Sequence, residues 1–268
     1  MKILVCVKQV PGSNNVEVDP VTGVLKRSGI PSKINPYDLY AIETALSLAE
    51  RFGGTVETIT MGPPQAKSVI QETVCMGVQS GTVLTDRKFA GADVLATAYT
   101  ISQGIRKSGE YDLIICGKQT TDGDTAQVGP QIAEKLDIPQ VSYAAEIQKT
   151  GNTLKIKRML EDGYMTIKTQ TPCLLTCIKE LNEPRYMSVG GVFEAYSKPL
   201  TTYGYEELKD HPLIDATTIG LKGSPTNIFK SFTPPQKGVG MMLEGSGKET
   251  CEELAAILTK KHIIGERG

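Results

Sequence analysis

The stretch YDLIICGKQTTDGDTAQVGPQIAEKL, residues 111–136, decides the fold: an apolar strand runs through a short polar, glycine-containing loop into an amphipathic helix. Leu113, Ile114, Ile115 and Cys116 form the apolar run expected of a central parallel strand covered on both faces, and Gly117 ends it. Asp124 is placed to cap the helix, with Gln127 three positions on to reach back in a capping box, and Val128, Ile132 and Leu136 then recur on one face. Pro130 lacks the N–H that a helix interior needs. The helix therefore begins nearer Gly129 with Pro130 in its first turn, or kinks there.

Unpaired N–H groups at such a helix start, fronted by Gly123 and Gly129, favour an anion, so the stretch reads as a nucleotide cradle. Asp122 and Asp124 place negative charge in the same loop, which makes at least one of them a cap or a ribose hydroxyl acceptor. A strand-loop-helix connection with ordinary capping accounts for the same residues without a ligand.

Composition narrows the field. Lys and Arg number 29 against 30 Asp and Glu, a net charge of −1, so there is no basic footprint for nucleic acid. The six cysteines, at 6, 75, 116, 173, 177 and 251, form no Cys-x-x-Cys pair, and several lie in apolar runs, which favours reduced thiols over a disulfide framework or a zinc site. Only His211 and His262 could supply imidazole, and both fall in polar surroundings, against a histidine-based triad or metal centre. No apolar run approaches the roughly 20 residues of a membrane span, and the N-terminus enters a strand pattern directly, so a cytoplasmic protein is expected. Any redox group must be borrowed.

Along the chain, residues 1–7 read as a first strand, followed by a loop excursion to about residue 33 that is expected to form a small hairpin over the site. Asn35 then caps a helix with Pro36 in its first turn and Leu39, Ile42, Leu46 and Ala49 on one face, closed by Gly53 and Gly54. Residues 55–61 form a second strand, and a helix follows from Pro63-Pro64 to Met76. Thr82 to Thr85 form a third strand, and a helix over about 92–107 carries Val94, Leu95, Ala98, Ile101 and Ile105 inward. This alternation predicts an α/β fold, a doubly wound, mostly parallel sheet whose ligands sit beyond the strands' carboxyl ends. The candidate loops are Cys6 to Val10, Met61 to Pro63, Asp86 to Phe89 and Gly117 to Gly129.

From residue 141 three alternating segments, separated by turn signals at 150–152 and 161–163, predict antiparallel strands added at the sheet edge, with Leu174 to Lys179 as one more inner strand. Thereafter proline, glycine and polar residues dominate until a short amphipathic helix at about 249–261. The expected organisation is a nucleotide-binding α/β domain over 1–181 and an extended, partner-wrapping segment over 182–268.

Neither G-x-G-x-x-G after the first strand nor G-x-x-x-x-G-K-[ST] occurs, so a nucleotide must be held another way. ILVCVKQVP at the start, INP at 34–36, MGP at 61–63, GKQTTDGDTAQVG at 117–129 and LNEPRY at 181–186 together resemble the β subunit of electron transfer flavoprotein, along essentially the whole chain. The resemblance implies a heterodimer with an α subunit, an adenine-nucleotide-binding fold and flavin electron transfer. It places nucleotide contacts on Cys6, Asn35, Pro36, Tyr37, Asp38, Met61, Gly117, Gln119, Thr121, Asp122, Gly123, Asp124, Thr125, Gln127, Val128 and Gly129. Partner recognition falls on Leu181, Asn182, Glu183, Pro184, Arg185 and Tyr186, with Leu181 as the apolar anchor.

Within that family this subunit holds either AMP as a structural piece or, in the electron-bifurcating branch, a second FAD reduced by NADH. TDRKFAGADVLATAYT at 85–100 is similar to the bifurcating branch. Small residues at Ala90, Gly91, Ala92 and Ala96 would leave room for a flavin ring, with Asp86, Arg87, Phe89, Asp93, Thr97 and Thr100 about its edge. No side chain is expected to act covalently. The implied partners are the α subunit, ferredoxin and an acyl-CoA or 2-hydroxy-acid dehydrogenase; a non-bifurcating AMP-holding subunit and a nucleotide-binding regulatory protein are the alternatives.

Overall fold

The computed structural model describes residues 1–12, 32–210, 214–229, 238 and 240–265. Its first strand, β1 (Lys2–Cys6), alternates so that Ile3 and Val5 point to one face of the sheet and Leu4 to the other, each at most 1% exposed. Burial on both faces is why such a strand lacks polar alternation. Two short strands, β2 (Gln9–Pro11) and β3 (Ser32–Ile34), pair antiparallel beside the main sheet. They form the base of the expected hairpin; its remainder lies outside the described residues.

Helix α1 (Pro36–Phe52) leads to β4 (Thr55–Met61), and α2 (Lys67–Met76), entered through a 3₁₀ turn at Pro64–Ala66, leads to β5 (Ser80–Leu84). Gly77 ends α2 in the left-handed conformation (φ 119°), which glycine adopts without Cβ strain. Helix α3 (Val94–Ser108) then returns the chain to β6 (Leu113–Gly117), and α4 (Val128–Leu136) to β7 (Gln140–Thr150). On α3, Ala98, Ile101 and Ile105 are buried as expected, whereas Val94 and Leu95 in the first turn are only partly covered.

After β8 (Thr153–Met159) and β9 (Tyr164–Gln170), strand β10 (Cys173–Cys177) inserts between β6 and β7. The segment that follows contains α5 (Val189–Glu194), β11 (Leu200–Tyr203) and α6 (Tyr205–Leu208). The nine-stranded order is β11-β5-β4-β1-β6-β10-β7-β8-β9, parallel through β7 and antiparallel at β8 and β9. Helices α1 and α2 cover the face bearing Ile3, Val5, Leu113 and Ile115, and α3 and α4 cover the face bearing Leu4, Ile114 and Leu174. The order reverses between β1 and β6, the switch point at which doubly wound sheets open a crevice.

Strand β11 was not foreseen, because Leu200–Tyr203 lies in a polar, proline-containing stretch and completes the sheet edge only by pairing with β5. Residues Met1–Phe229 form one compact unit and Lys230–Gly268 a second. In the second, α7 (Gly247–Lys260) starts with Ser246 and Glu249 in a reciprocal capping box, and none of its side chains is buried.

Arg185 ties the LNEPRY segment to α1, giving its Nε to Glu43 at 2.7 Å and its Nη1 to Glu50 at 2.5 Å. Burial pushes the Glu43 carboxyl up, but the Arg185 guanidinium outweighs it and holds the group below its ordinary value. Arg185→Ala strands a nearly buried carboxylate and is expected to cost roughly 2–4 kcal/mol in denaturant unfolding. Arg185→Lys should recover only part of this, because one ammonium cannot serve both carboxylates as the planar fork does.

Candidate functional site

The crevice is built from the end of β1, the start of α1 and the loop after β6. A Cβ at Gly117 would lie 2.4 Å from Asp38 Oδ1 and 2.7 Å from the Tyr37 carbonyl carbon, so only glycine lets β6 end against the first turn of α1. Asp38 is 4% exposed. Its Oδ2 accepts the Lys8 N–H at 2.8 Å and its Oδ1 accepts Asn35 Nδ2 at 2.9 Å.

Asn35 stands at the N-cap position of α1, but its side chain makes no capping bond to the helix. Its amide instead spans the crevice, donating to the Gln119 carbonyl at 2.8 Å and accepting the Thr121 N–H at 3.2 Å. Lys8 Nζ meets Asp122 Oδ1 at 2.8 Å, and Gln119 donates to Asp124. Three chain segments far apart in sequence are thereby locked into one polar rim.

The expected capping box at the start of α4 does not form. Asp124 and Ala126 are left-handed, with φ 57° and 56°, the N-cap position is taken by Gln127 without a side-chain bond, and the helix starts at Val128 with Pro130 in its first turn. The Asp124 carboxylate is drawn to Gln119 instead. The first N–H groups of α4 consequently have no intrahelical acceptor and face a loop of irregular backbone, an arrangement that favours an anion. Gly129 is needed here too, since a Cβ would come within 2.9 Å of Thr176.

Thr121, Gly123, Asp124, Thr125 and Gln127 are exposed on this rim, while Cys6 at the end of β1 is partly covered and Met61 packs into the core beside it. Lys8 escaped the sequence reading. Its signal was available as the single cation directly after the first strand. Cys6 and Cys116 are register partners on adjacent strands, and hydrogen bonding with Cys6 followed by burial pushes the Cys116 thiol well above its ordinary value. Burial likewise drives Cys177 to about 12, so both remain thiols near neutrality.

The Asp86 to Thr97 group is organised differently. Asp86 caps the 3₁₀ turn Arg87–Phe89 through the Lys88 N–H at 2.9 Å and accepts the Tyr205 N–H at 3.0 Å. Phe89 is 3% exposed within the core, and Arg87 is exposed. Asp93 caps α3 through the Ala96 N–H at 3.0 Å and binds the Thr226 hydroxyl at 2.6 Å. Thr97 is partly exposed, but Thr100 is fully buried and returns its hydroxyl to the Ala96 carbonyl at 2.9 Å.

Of the small residues expected about a flavin ring, Ala90 and Gly91 are exposed and Ala92 is partly covered. Ala96 is fully buried, and a Cβ at Gly91 would meet Leu221 at 3.1 Å. In LNEPRY, Leu181 is partly buried against the chain's own core, and Asn182 donates to the Tyr40 carbonyl and Thr44 hydroxyl. Glu183 is exposed and Pro184 partly covered; the apolar groups turned outward begin at Tyr186, 96% exposed, and continue through Val189, Phe193 and Tyr196.

Fold and crevice together define an α/β protein of the class that receives ligands at a topological switch beyond the strand ends. A model of the electron transfer flavoprotein domain matches residues 22–207. Among curated proteins, the acryloyl-CoA reductase electron transfer subunit gamma of Anaerotignum propionicum is 55% identical over 268 residues, covering 98% of this chain and 100% of its own. The caffeyl-CoA reductase-Etf complex subunit CarD of Acetobacterium woodii is 47% identical over 266 residues, and the electron transfer flavoprotein subunit beta of Clostridium acetobutylicum 47% over 264, each spanning 98% of this chain and 100% of the relative. The chain belongs to the electron transfer flavoprotein family, aligned end to end with its β subunits. Among the described residues no helix is long and apolar enough to cross a membrane.

Burial raises the Asp38 pKa to about 7, against the hydrogen bonds from Asn35 and Lys8 that favour its ionised form. In the unfolded chain the group titrates near 4. The folded state therefore holds the proton more tightly, and Asp38's contribution to stability is greatest below about pH 4 and is lost as pH rises towards 7. Asp38→Asn is expected to flatten the decline in Tm over that window. Thermal unfolding of both proteins from pH 4.5 to 8 measures it; parallel curves would contradict the assignment.

Proposed function

We propose that this chain is the β subunit of a bifurcating electron transfer flavoprotein, holding FAD in the crevice between β1, α1 and the 117–129 loop. The observation that carries the reading is the rim in which Asn35 bridges to Gln119 and Thr121 ahead of the unpaired N–H groups of α4. Those N–H groups suit a pyrophosphate, and exposed Thr121, Thr125 and Gln127 offer hydrogen bonds to a ribose or base edge. Close packing at Gly117 and Gly129 keeps the backbone at the crevice floor. The donor set therefore fits an adenine dinucleotide.

When bound, FAD would accept hydride from NADH and release electrons singly, chemistry that belongs to the cofactor. The protein's share is to hold the adenosine diphosphate half and to exclude water from the crevice floor. Exposed Arg87 supplies positive charge toward the ring end, which stabilises added negative charge there. Ferredoxin would take one electron, and a flavin on the α subunit would pass the other to a dehydrogenase.

The names of the relatives support a place in an acyl-CoA reductase assembly, since two of them are subunits of acryloyl-CoA and caffeyl-CoA reductases. The outward apolar side chains from Tyr186 to Tyr196 supply a surface for that partner, and the segment from 182 onward for the α subunit. We place the complex in the cytoplasm.

Cofactor counting on the purified heterodimer tests the reading. Two FAD per heterodimer are expected, whereas one FAD and one AMP would make the chain a non-bifurcating relay, and no flavin with any partner would leave a regulatory nucleotide binder. Asp122→Ala or Gln127→Ala is expected to lower nucleotide retention on dialysis by about tenfold; undiminished content in both variants would count against the cradle.

A further inference from the structure

The loop after β5 is closed by a strap that arrives from far along the chain. Leu221 gives its N–H to the Ala90 carbonyl at 3.0 Å, and a Cβ at Gly220 would lie 2.1 Å from the Lys88 carbonyl oxygen. Gly220 is left-handed, at φ 56°, a conformation that glycine adopts without strain. Ser224 Oγ accepts the Asp93 N–H at 2.8 Å and returns its own hydrogen to the Gly220 carbonyl at 2.7 Å. Asp93 Oδ2 accepts both the N–H and the hydroxyl of Thr226, at 3.1 and 2.6 Å. Residues 219–226 are thus fastened to 88–93 at both ends.

The same carboxylate distinguishes two helix starts. Asp93 Oδ1 accepts the Ala96 N–H at 3.0 Å, so α3 begins with an anion already on its donors. Helix α4 packs beside α3 on one face of the sheet and begins without a side-chain cap. A ligand with one anionic and one uncharged end therefore has its direction defined: phosphates at α4, the uncharged end before α3. Strands β6, β1, β4 and β5 are consecutive, and three such spacings put the ends of β6 and β5 roughly 14 Å apart. Crossing that width takes the length of a dinucleotide.

What such a ligand meets beyond β5 is apolar and fixed in place. Ala90 and Gly91 are exposed, and Leu221 stands beside Gly91 on the fastened strap, 60% exposed. Gly91 is left-handed at φ 73°, and the close approach of Leu221 leaves little room there for a side chain. Small residues flanked by one held leucine make a flat apolar wall of the kind that lines cofactor sites. Both oxygens of Asp93 are engaged within the chain, so Asp93 positions this wall and does not reach the ligand.

We infer that Leu221 is a contact of the flavin ring, on a wall formed by residues 219–226, and that Asp93 and Thr226 are its positioning residues. The inference rests on the FAD reading proposed above and deepens it by naming what favours FAD over AMP. The co-purified heterodimer is dialysed against equal concentrations of FAD and AMP, and against AMP alone, and both nucleotides retained are counted per heterodimer. Its dissociation constant is measured alongside. AMP has no ring, so Leu221→Ala should lower the preference for FAD over AMP about tenfold and leave AMP binding unchanged. Thr226→Val should lower the preference about threefold, and Thr226→Ser, which keeps the hydroxyl, should restore it.

An unchanged preference in Leu221→Ala would overturn the wall, as would an equal loss of FAD and AMP. Weaker assembly with the preference intact would overturn it too, and would give Leu221 to a protein partner. Leu221→Ala alters an exposed side chain and is expected to fold; should it not, Thr226→Val and Thr226→Ser decide by the same readout. A parent that retains AMP in place of a second FAD would defeat the FAD reading itself, a result distinct from a change confined to the variants.

Discussion

The crevice depends on the approach of β6 to the first turn of α1 at Gly117, where a single added carbon would collide with Asp38 and with the backbone of Tyr37. Because the strand can end there, the loop that follows starts within reach of Asn35, and one amide can bond to both Gln119 and Thr121. Asp38 completes the junction by taking the Lys8 N–H from the end of β1. The crevice is thus a product of close packing first and of polar chemistry second. A buried carboxyl at this junction is tolerable because three N–H donors, from Lys8, Asn35 and Gly117, face it.

Which parts of this were legible in the sequence follows from which interactions are local. The strands and helices through residue 136, and the antiparallel turns at 150–152 and 161–163, were readable because the apolar period and the turn residues lie within each element. The capping of α4 was misread: Asp124 has the right residue type and spacing, but its carboxylate is claimed by Gln119 and its backbone turns left-handed. Asn35 failed as a cap for the same reason, a tertiary partner outcompeting a local one. Lys8 stood in plain view after the first strand, but its pairing with Asp122 is set by a loop distant in sequence.

Arg185 and Arg158 show how context divides one side chain into two settings. Arg185 meets Glu43 and Glu50 together, so its charge is satisfied within the chain and its work is to fasten a segment. Arg158 follows the buried Leu154 and Ile156 along β8, and its Nε has no acceptor among the described residues. Net charge near zero conceals this difference, since the balance of the whole chain says nothing about where an individual cation lacks its counterpart.

The path after β10 explains why apolar side chains stand exposed beyond LNEPRY. The segment crosses α1, where Arg185 and Asn182 hold it, then touches the end of α2, where Ser188 N–H bonds the Cys75 carbonyl at 2.9 Å and Gly191 lies too close to that backbone for any Cβ. It then becomes β11 on the far edge of the sheet, beside β5. One side of the segment is committed to the helices along its whole course, so Tyr186, Val189, Phe193 and Tyr196 have only the outer side left to occupy. Fixed at both ends, that side is ordered before any partner arrives. A surface of this kind carries a smaller entropic penalty on binding than a free tail of the same composition.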